Sequence, residues 1–220
     1  MTEFYLIRHG KTEFNVEKRF QGGAVDSKLL SSALEDSKKL GKELRYVPFD
    51  LLLTSEQQRA IHTGNIIADY NINQKTMNRE TNKNLNEINF GIWEGVLEDK
   101  IPHSDQLLLF RNTPEKFDAR IIDGEHYYEV YARMKPIFDE ITLKYPHGKI
   151  LIVSHGMALL ALVNGLLKTP YSQFRKLPNL DNNSVSILLK NQKEWVLKKW
   201  NNIFLFDPTL NIHKKNKISE

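Results

Sequence analysis

The sequence predicts an α/β domain on a mostly parallel sheet, and three observations carry that expectation. Strand-like and helix-like segments alternate along the chain without any internal repeat. Residues 4–7 (FYLI) and 150–153 (ILIV) are unbroken apolar runs, the pattern of strands buried on both faces. The length of 220 residues, with 40% apolar and 26% charged side chains, suits one sizeable core and is short for two.

The first strand ends in Arg8, His9 and Gly10, at the carboxyl edge where open α/β sheets hold their ligands. Glycine lets the chain turn away there. A planar guanidinium beside a neutral imidazole suits a phosphate and a nucleophile toward phosphorus, although a surface strand end is the competing reading of the tripeptide alone. Residues 16–30 form a polar loop with Gly22, Gly23 and Asp26. Ser31 and Ser32 are expected N-caps of a helix to about Arg45, carrying Leu34, Leu40 and Leu44 near helical spacing.

After Pro48, residues 49–55 (FDLLLTS) read as a second buried strand, leading into a helix over 57–70 with Arg59 in its first turn. Donors at a helix start face an anion off the strand ends, so Arg59 can join Arg8. A short strand is expected within 71–86, at least one helix within 96–124, and a long helix over 125–144 that Pro136 is expected to kink.

Residues 149–156 (KILIVSHG) repeat the opening pattern, an apolar strand ending in His155 and glycine. Adjacent strands lie only about 5 Å apart, so two such histidines can share a pocket. A helix follows directly, and residues 184–189 and 195–200 read as a strand hairpin.

Composition narrows the function classes. No cysteine is present, which excludes disulfides and thiolate metal sites. The longest apolar run, 157–163, is too short to span a bilayer, so a cytoplasmic location is the default expectation. The net charge of +4 is modest and partly sits in HKKNK at 213–217. A solvated tail is favoured for that run over nucleic-acid or membrane binding.

Four blocks, in order, resemble the histidine phosphatase superfamily, also called the phosphoglycerate mutase-like fold. They are LIRHGKTEFN with Arg8, His9 and Asn15, TSEQQRA with Arg59, LNEINFGIWEG with Glu87, and VSHG with His155. GEHYYEVYAR at 124–133 and NNSVS at 182–186 are similar to family segments as well. The resemblance departs at DSKLLSSA, where Lys28 and Ala33 replace a usual proline and glycine. His62 and His126 also stand where other residues are common in the family, with no role assigned.

The resemblance implies a single three-layer α/β/α sandwich over residues 1–220, with a cap inserted at about 92–124 and a tail from about 201. It implies phosphate monoester hydrolysis through a phosphohistidine, with no metal or other cofactor and a small phosphorylated substrate. His9 is the implied nucleophile, aimed by its other ring nitrogen donating to the Gly10 carbonyl. Arg8, Arg59 and a protonated His155 would stabilise the transferring group. Glu87 is the implied proton donor, its pKa raised beside Phe90 and Trp93. Asn15, with Gln21 and Gly22 from the polar loop, is expected to contact substrate. A phosphoglycerate mutase of the same fold and a non-catalytic phospho-ligand module are the alternatives. Ile88, where the mutases carry an arginine after the glutamate, favours the hydrolase.

Overall fold

Alternation of side chains along three central strands explains why helices cover the sheet on both sides. In the computed structural model, which describes residues 1–203, the sheet has the order β3-β2-β4-β1-β5-β6. Strands β1 (Thr2–Arg8), β2 (Leu51–Thr54), β3 (Asn78–Thr81) and β4 (Lys149–Ser154) run parallel, while β5 (Val185–Lys190) joins β1 antiparallel and pairs with β6 (Trp195–Asn202). The basic run at 213–217 lies outside the described residues.

Phe4, Leu6, Leu53 and Ile152 point to one face, where α5 (Tyr127–Lys144) and α6 (Gly156–Leu166) pack. Tyr5, Ile7, Leu52 and Val153 point to the other, against α2 (Ser31–Leu44) and α3 (Gln58–Asp69). Because side chains alternate with period two, the continuous apolar runs are what two covered faces require. The short edge strand β3 is instead exposed along its length, and its brevity limits unwanted pairing.

One local expectation fails. Ser31 and Ser32 lie inside the first turn of α2, and Leu30 is the N-cap without a side-chain hydrogen bond. A distant contact sets that boundary, since the Leu30 N–H donates to the Lys11 carbonyl at 2.9 Å. The long helix α5 runs past Pro136 as expected, although that residue has no N–H to donate.

Residues 91–124 contain α4 (Ser104–Asn112) and four short 3-10 turns. Trp93, Phe110, Phe117 and Ile122 from this segment merge with the core above α5 and α6. Gly91 makes the close approach possible. Its φ is +53°, and a Cβ there would lie 1.7 Å from the Ile122 carbonyl oxygen. No helix among the described residues is long and apolar enough to cross a membrane.

Candidate active site

The parallel pairing of β1 with β4 puts Arg8 opposite Ser154, so His9 and His155 leave the sheet side by side. Their ring centroids are 5.1 Å apart. His9 is tied down through both backbone and ring. Its N–H donates to the Ser154 carbonyl at 3.0 Å, and Nδ1 lies 2.7 Å from the Gly10 carbonyl oxygen. A carbonyl only accepts, so the proton is on Nδ1 and the lone pair is on Nε2. Burial, reinforced by Arg59 and Arg8, holds the His9 pKa well below the usual imidazole range. The ring is therefore neutral at physiological pH, as a nucleophile must be.

Arg59 is fully buried, and its guanidinium has a protein acceptor at every nitrogen. Nε donates to His9 Nε2 at 3.3 Å, Nη1 to the Val25 carbonyl and Asp26 Oδ1, and Nη2 to the Gly22 carbonyl and Gln57 Oε1. The loop at 22–26 thus folds over Arg59 and fixes it with one edge against the His9 lone pair. Asp26 reinforces this by accepting the Gln58 N–H with Oδ2 at 2.6 Å, holding the start of α3 as well. Arg8 anchors Nη1 on the Leu180 carbonyl and leaves Nε buried without a partner.

Glu87 seals the other end of the pocket. Its carboxylate accepts N–H groups from Ile88 at 2.9 Å, Met157 at 3.1 Å and Ala158 at 2.7 Å, the last two from the first turn of α6. The positive helix end therefore holds Glu87, next to the N-cap His155. Burial raises the Glu87 pKa, opposed by the three backbone bonds and by Arg59. Phe90 lines the cavity beside it. Trp93, expected to share that wall, is fully buried behind Phe90 and donates Nε1–H to the Pro102 carbonyl.

His155, expected to be protonated against a transferring phosphoryl group, is neutral without an anion beside it. It is completely buried, with Nε2 2.7 Å from Ser55 Oγ and Nδ1 unpartnered. Desolvation, with Arg59, His9 and Arg8 nearby, drives its pKa well below the usual range, so the ring is neutral. Two guanidiniums and a second imidazole leave no room for another cation until an anion enters.

Asn15 and Gln21 line the cavity of about 280 Å³ that also reaches Arg8, His9 and Glu87. The Asn15 Oδ1 accepts from Thr12 N–H and Asn182 Nδ2, which leaves its amide nitrogen for a ligand. Gln21 is held by Thr12 Oγ1 and by Ser27 Oγ. Gly22, expected to touch substrate, is not on the cavity wall. A Cβ there would come within 2.5 Å of the Ile88 carbonyl oxygen, so this glycine serves the packing of the loop that grips Arg59.

Several residues of the site escaped sequence reasoning. Ser55 and Gln57 stand inside the TSEQQRA block, Asp26 opens DSKLLSSA and Asn182 opens NNSVS, so the signal lay in blocks already singled out. Asn182 Nδ2 donates to the His9 carbonyl at 3.0 Å, steadying His9 from behind. His126 caps the start of α5 and stacks on Tyr128, while His62 borders a shallow cleft beside Asp26, away from the histidine pair. Among the described residues no three His, Asp or Glu side chains gather as metal ligands would.

The fold and site define an α/β protein whose parallel strand ends gather two neutral histidines, two arginines and a buried glutamate, of which Arg8, His9 and Glu87 line a small cavity. Residues 4–203 match the histidine phosphatase superfamily (branch 1), and the chain belongs to that family. It is 31% identical over 201 residues to the probable phosphoglycerate mutase GpmB of Yersinia pestis (strain Pestoides F), covering 91% of this chain and 90% of the relative. The structure of Bacillus stearothermophilus YhfR superposes with a TM-score of 0.84 at 28% identity, covering 92% of this chain and 98% of that one. The alpha-ribazole phosphatase from Shigella flexneri gives 0.76 at 27% identity, covering 91% and 96%.

Proposed function

We propose that the protein hydrolyses phosphate monoesters through a phosphohistidine on His9. The observation that carries this reading is the state of the His9 ring, neutral, with Nδ1 bonded to the Gly10 carbonyl and Nε2 facing Arg59 on the cavity side. In the first step the Nε2 lone pair attacks phosphorus and the P–O ester bond breaks. The leaving oxygen takes the proton of Glu87, and charge on the equatorial oxygens is met by Arg8 and by Arg59, whose Nε–H is released from His9 as Nε2 bonds phosphorus. In the second step Glu87, now ionised, removes a proton from water. The oxygen attacks phosphorus, the P–N bond breaks, and phosphate leaves with His9 restored. A dianionic phosphoryl group offsets the two arginines, so His155 contributes hydrogen bonding first and positive charge only once the anion is bound. No step requires a metal ion.

The Yersinia relative is named a mutase and the Shigella structure a phosphatase, and both chemistries begin with the same phosphorylated histidine. Ile88 supports hydrolysis. It is fully buried in the core, so the position after Glu87 supplies no cation to retain a doubly phosphorylated intermediate. Arg111 on the cavity wall is the feature that favours a mutase. The deciding assay supplies 3-phosphoglycerate with a trace of 2,3-bisphosphoglycerate and follows 2-phosphoglycerate and free phosphate together. Phosphate release from several unrelated monoesters without isomerisation is expected. Isomer formation much faster than phosphate release would overturn the hydrolase reading in favour of the mutase.

A further inference from the structure

The cavity carries more positive charge than one phosphoryl group uses. Beyond Arg8, four cationic side chains line it, Lys18, Arg19, Arg111 and Arg175. Arg19 is paired with Glu17 and Arg111 with Glu98. Arg175 differs. It is partly buried, and among the described residues no carboxylate lies within ion-pair distance of it. Its neighbours are neutral: Nε donates to the Arg111 carbonyl at 3.3 Å, Nη1 lies 3.1 Å from Met157 Sδ, and the head sits 5.8 Å from the Phe110 ring centroid.

A thioether is a weak acceptor, and an aromatic face does not cancel a formal charge. A guanidinium drawn partly out of water without a counter-charge bears an uncompensated desolvation cost, which an incoming anion removes. Phe20, Phe90 and Phe110 lower the local dielectric on this wall and strengthen any such attraction.

The position of Arg175 indicates which part of a substrate it meets. Met157 touches Arg175 with its sulfur and Glu87 with its N–H, so the unpaired cation lies on the side of the proton donor. That side receives the leaving alcohol. We propose that Arg175 binds a second anionic group on the alcohol portion, so that the substrates are phosphate monoesters carrying a carboxylate or a further phosphate. This rests on the hydrolase reading for its orientation, since only the leaving group faces Glu87.

The test measures binding and turnover separately. Calorimetry compares 4-carboxyphenylphosphonate with its neutral isostere 4-carbamoylphenylphosphonate, and adds benzene-1,4-bisphosphonate to separate a carboxylate from a phosphate preference. The wild-type protein is expected to bind the carboxylate or the bisphosphonate about ten- to a hundredfold more tightly than the amide, the range of a charge-assisted contact. Arg175→Gln should bring that ratio close to one, and Arg175→Lys should restore part of it. Equal affinity of the wild type for all three ligands, or a ratio unchanged in Arg175→Gln, would overturn the proposal. Phosphate release from phenyl phosphate is followed in parallel. Discrimination without turnover keeps the anion subsite and sinks the hydrolase reading, whereas turnover without discrimination does the reverse.

Discussion

Replacing Glu87 with glutamine separates proton donation from simple pocket filling. The amide keeps one oxygen for the Ile88 and Ala158 N–H groups but turns an NH2 toward the Met157 N–H, where the carboxylate accepts at 3.1 Å. A buried donor facing a donor costs about 1–3 kcal/mol. Against this, the variant no longer has to bury an ionisable group whose pKa burial has raised. Because the folded pKa lies above the unfolded value, protonation favours folding. Stability from that source is full below the unfolded pKa and lost as pH rises through the folded one. The stability of the wild type relative to Glu87→Gln should therefore decline on going from acid pH through the raised pKa, read as Tm against pH. The catalytic loss is larger and depends on the leaving group. General acid catalysis contributes roughly 10²–10⁴ for a sugar alkoxide and about tenfold or less for a nitrophenolate, which leaves unaided. The assay is kcat/KM for a sugar phosphate and for 4-nitrophenyl phosphate, wild type against variant, across pH. Equal losses for both substrates would refute proton donation and reduce Glu87 to an anchor of α6.

Other outcomes follow from the same geometry. Brief exposure to radiolabelled substrate should leave an acid-labile, base-stable label that His9→Ala abolishes, and a label on His155 in enzyme still turning over would reverse the two roles. Exhaustive chelation should leave phosphate release intact, since no three potential ligands gather among the described residues, and loss restored by magnesium or zinc would contradict the mechanism. Gly91→Ala, which puts a Cβ 1.7 Å from the Ile122 carbonyl oxygen at a φ of +53°, should cost about 2–5 kcal/mol and lower Tm by roughly 5–15 °C. A Tm within about 2 °C of wild type would show that the 91–124 segment yields easily.

The parts legible in the sequence are those where a local pattern and the tertiary demand coincide. Unbroken apolar runs at 4–7 and 150–153 announce strands covered on both faces, and the polar residues that end them mark the ligand edge. What was hidden depends on partners far along the chain. The N-cap of α2 is fixed by a bond from Leu30 to Lys11, not by the serines beside it. The charge state of His155 follows from burial and from Arg8, Arg59 and His9, none of them near it in sequence. Gly22 reads as a substrate-binding loop glycine until the Ile88 carbonyl is seen packed against it. Arg175 looks like any surface arginine until Arg111 and Met157 are found on either side.

The pairing of β1 has a consequence for how the chain is made. Its sheet neighbours are β4 and β5, so a strand that leaves the ribosome ahead of the other five waits for residues near 150 and 187 before it can be hydrogen-bonded. The parallel β2 and β3 pair can form earlier from the middle of the chain. Contacts that span so much sequence are slow to close, and the apolar Phe4, Tyr5, Leu6 and Ile7 remain without their sheet partners until residues near 150 have been made. Because Arg8 and His9 are carried by this same strand, no nascent fragment ending before β4 has the histidine pair. Recovery of activity on refolding therefore times the insertion of β1.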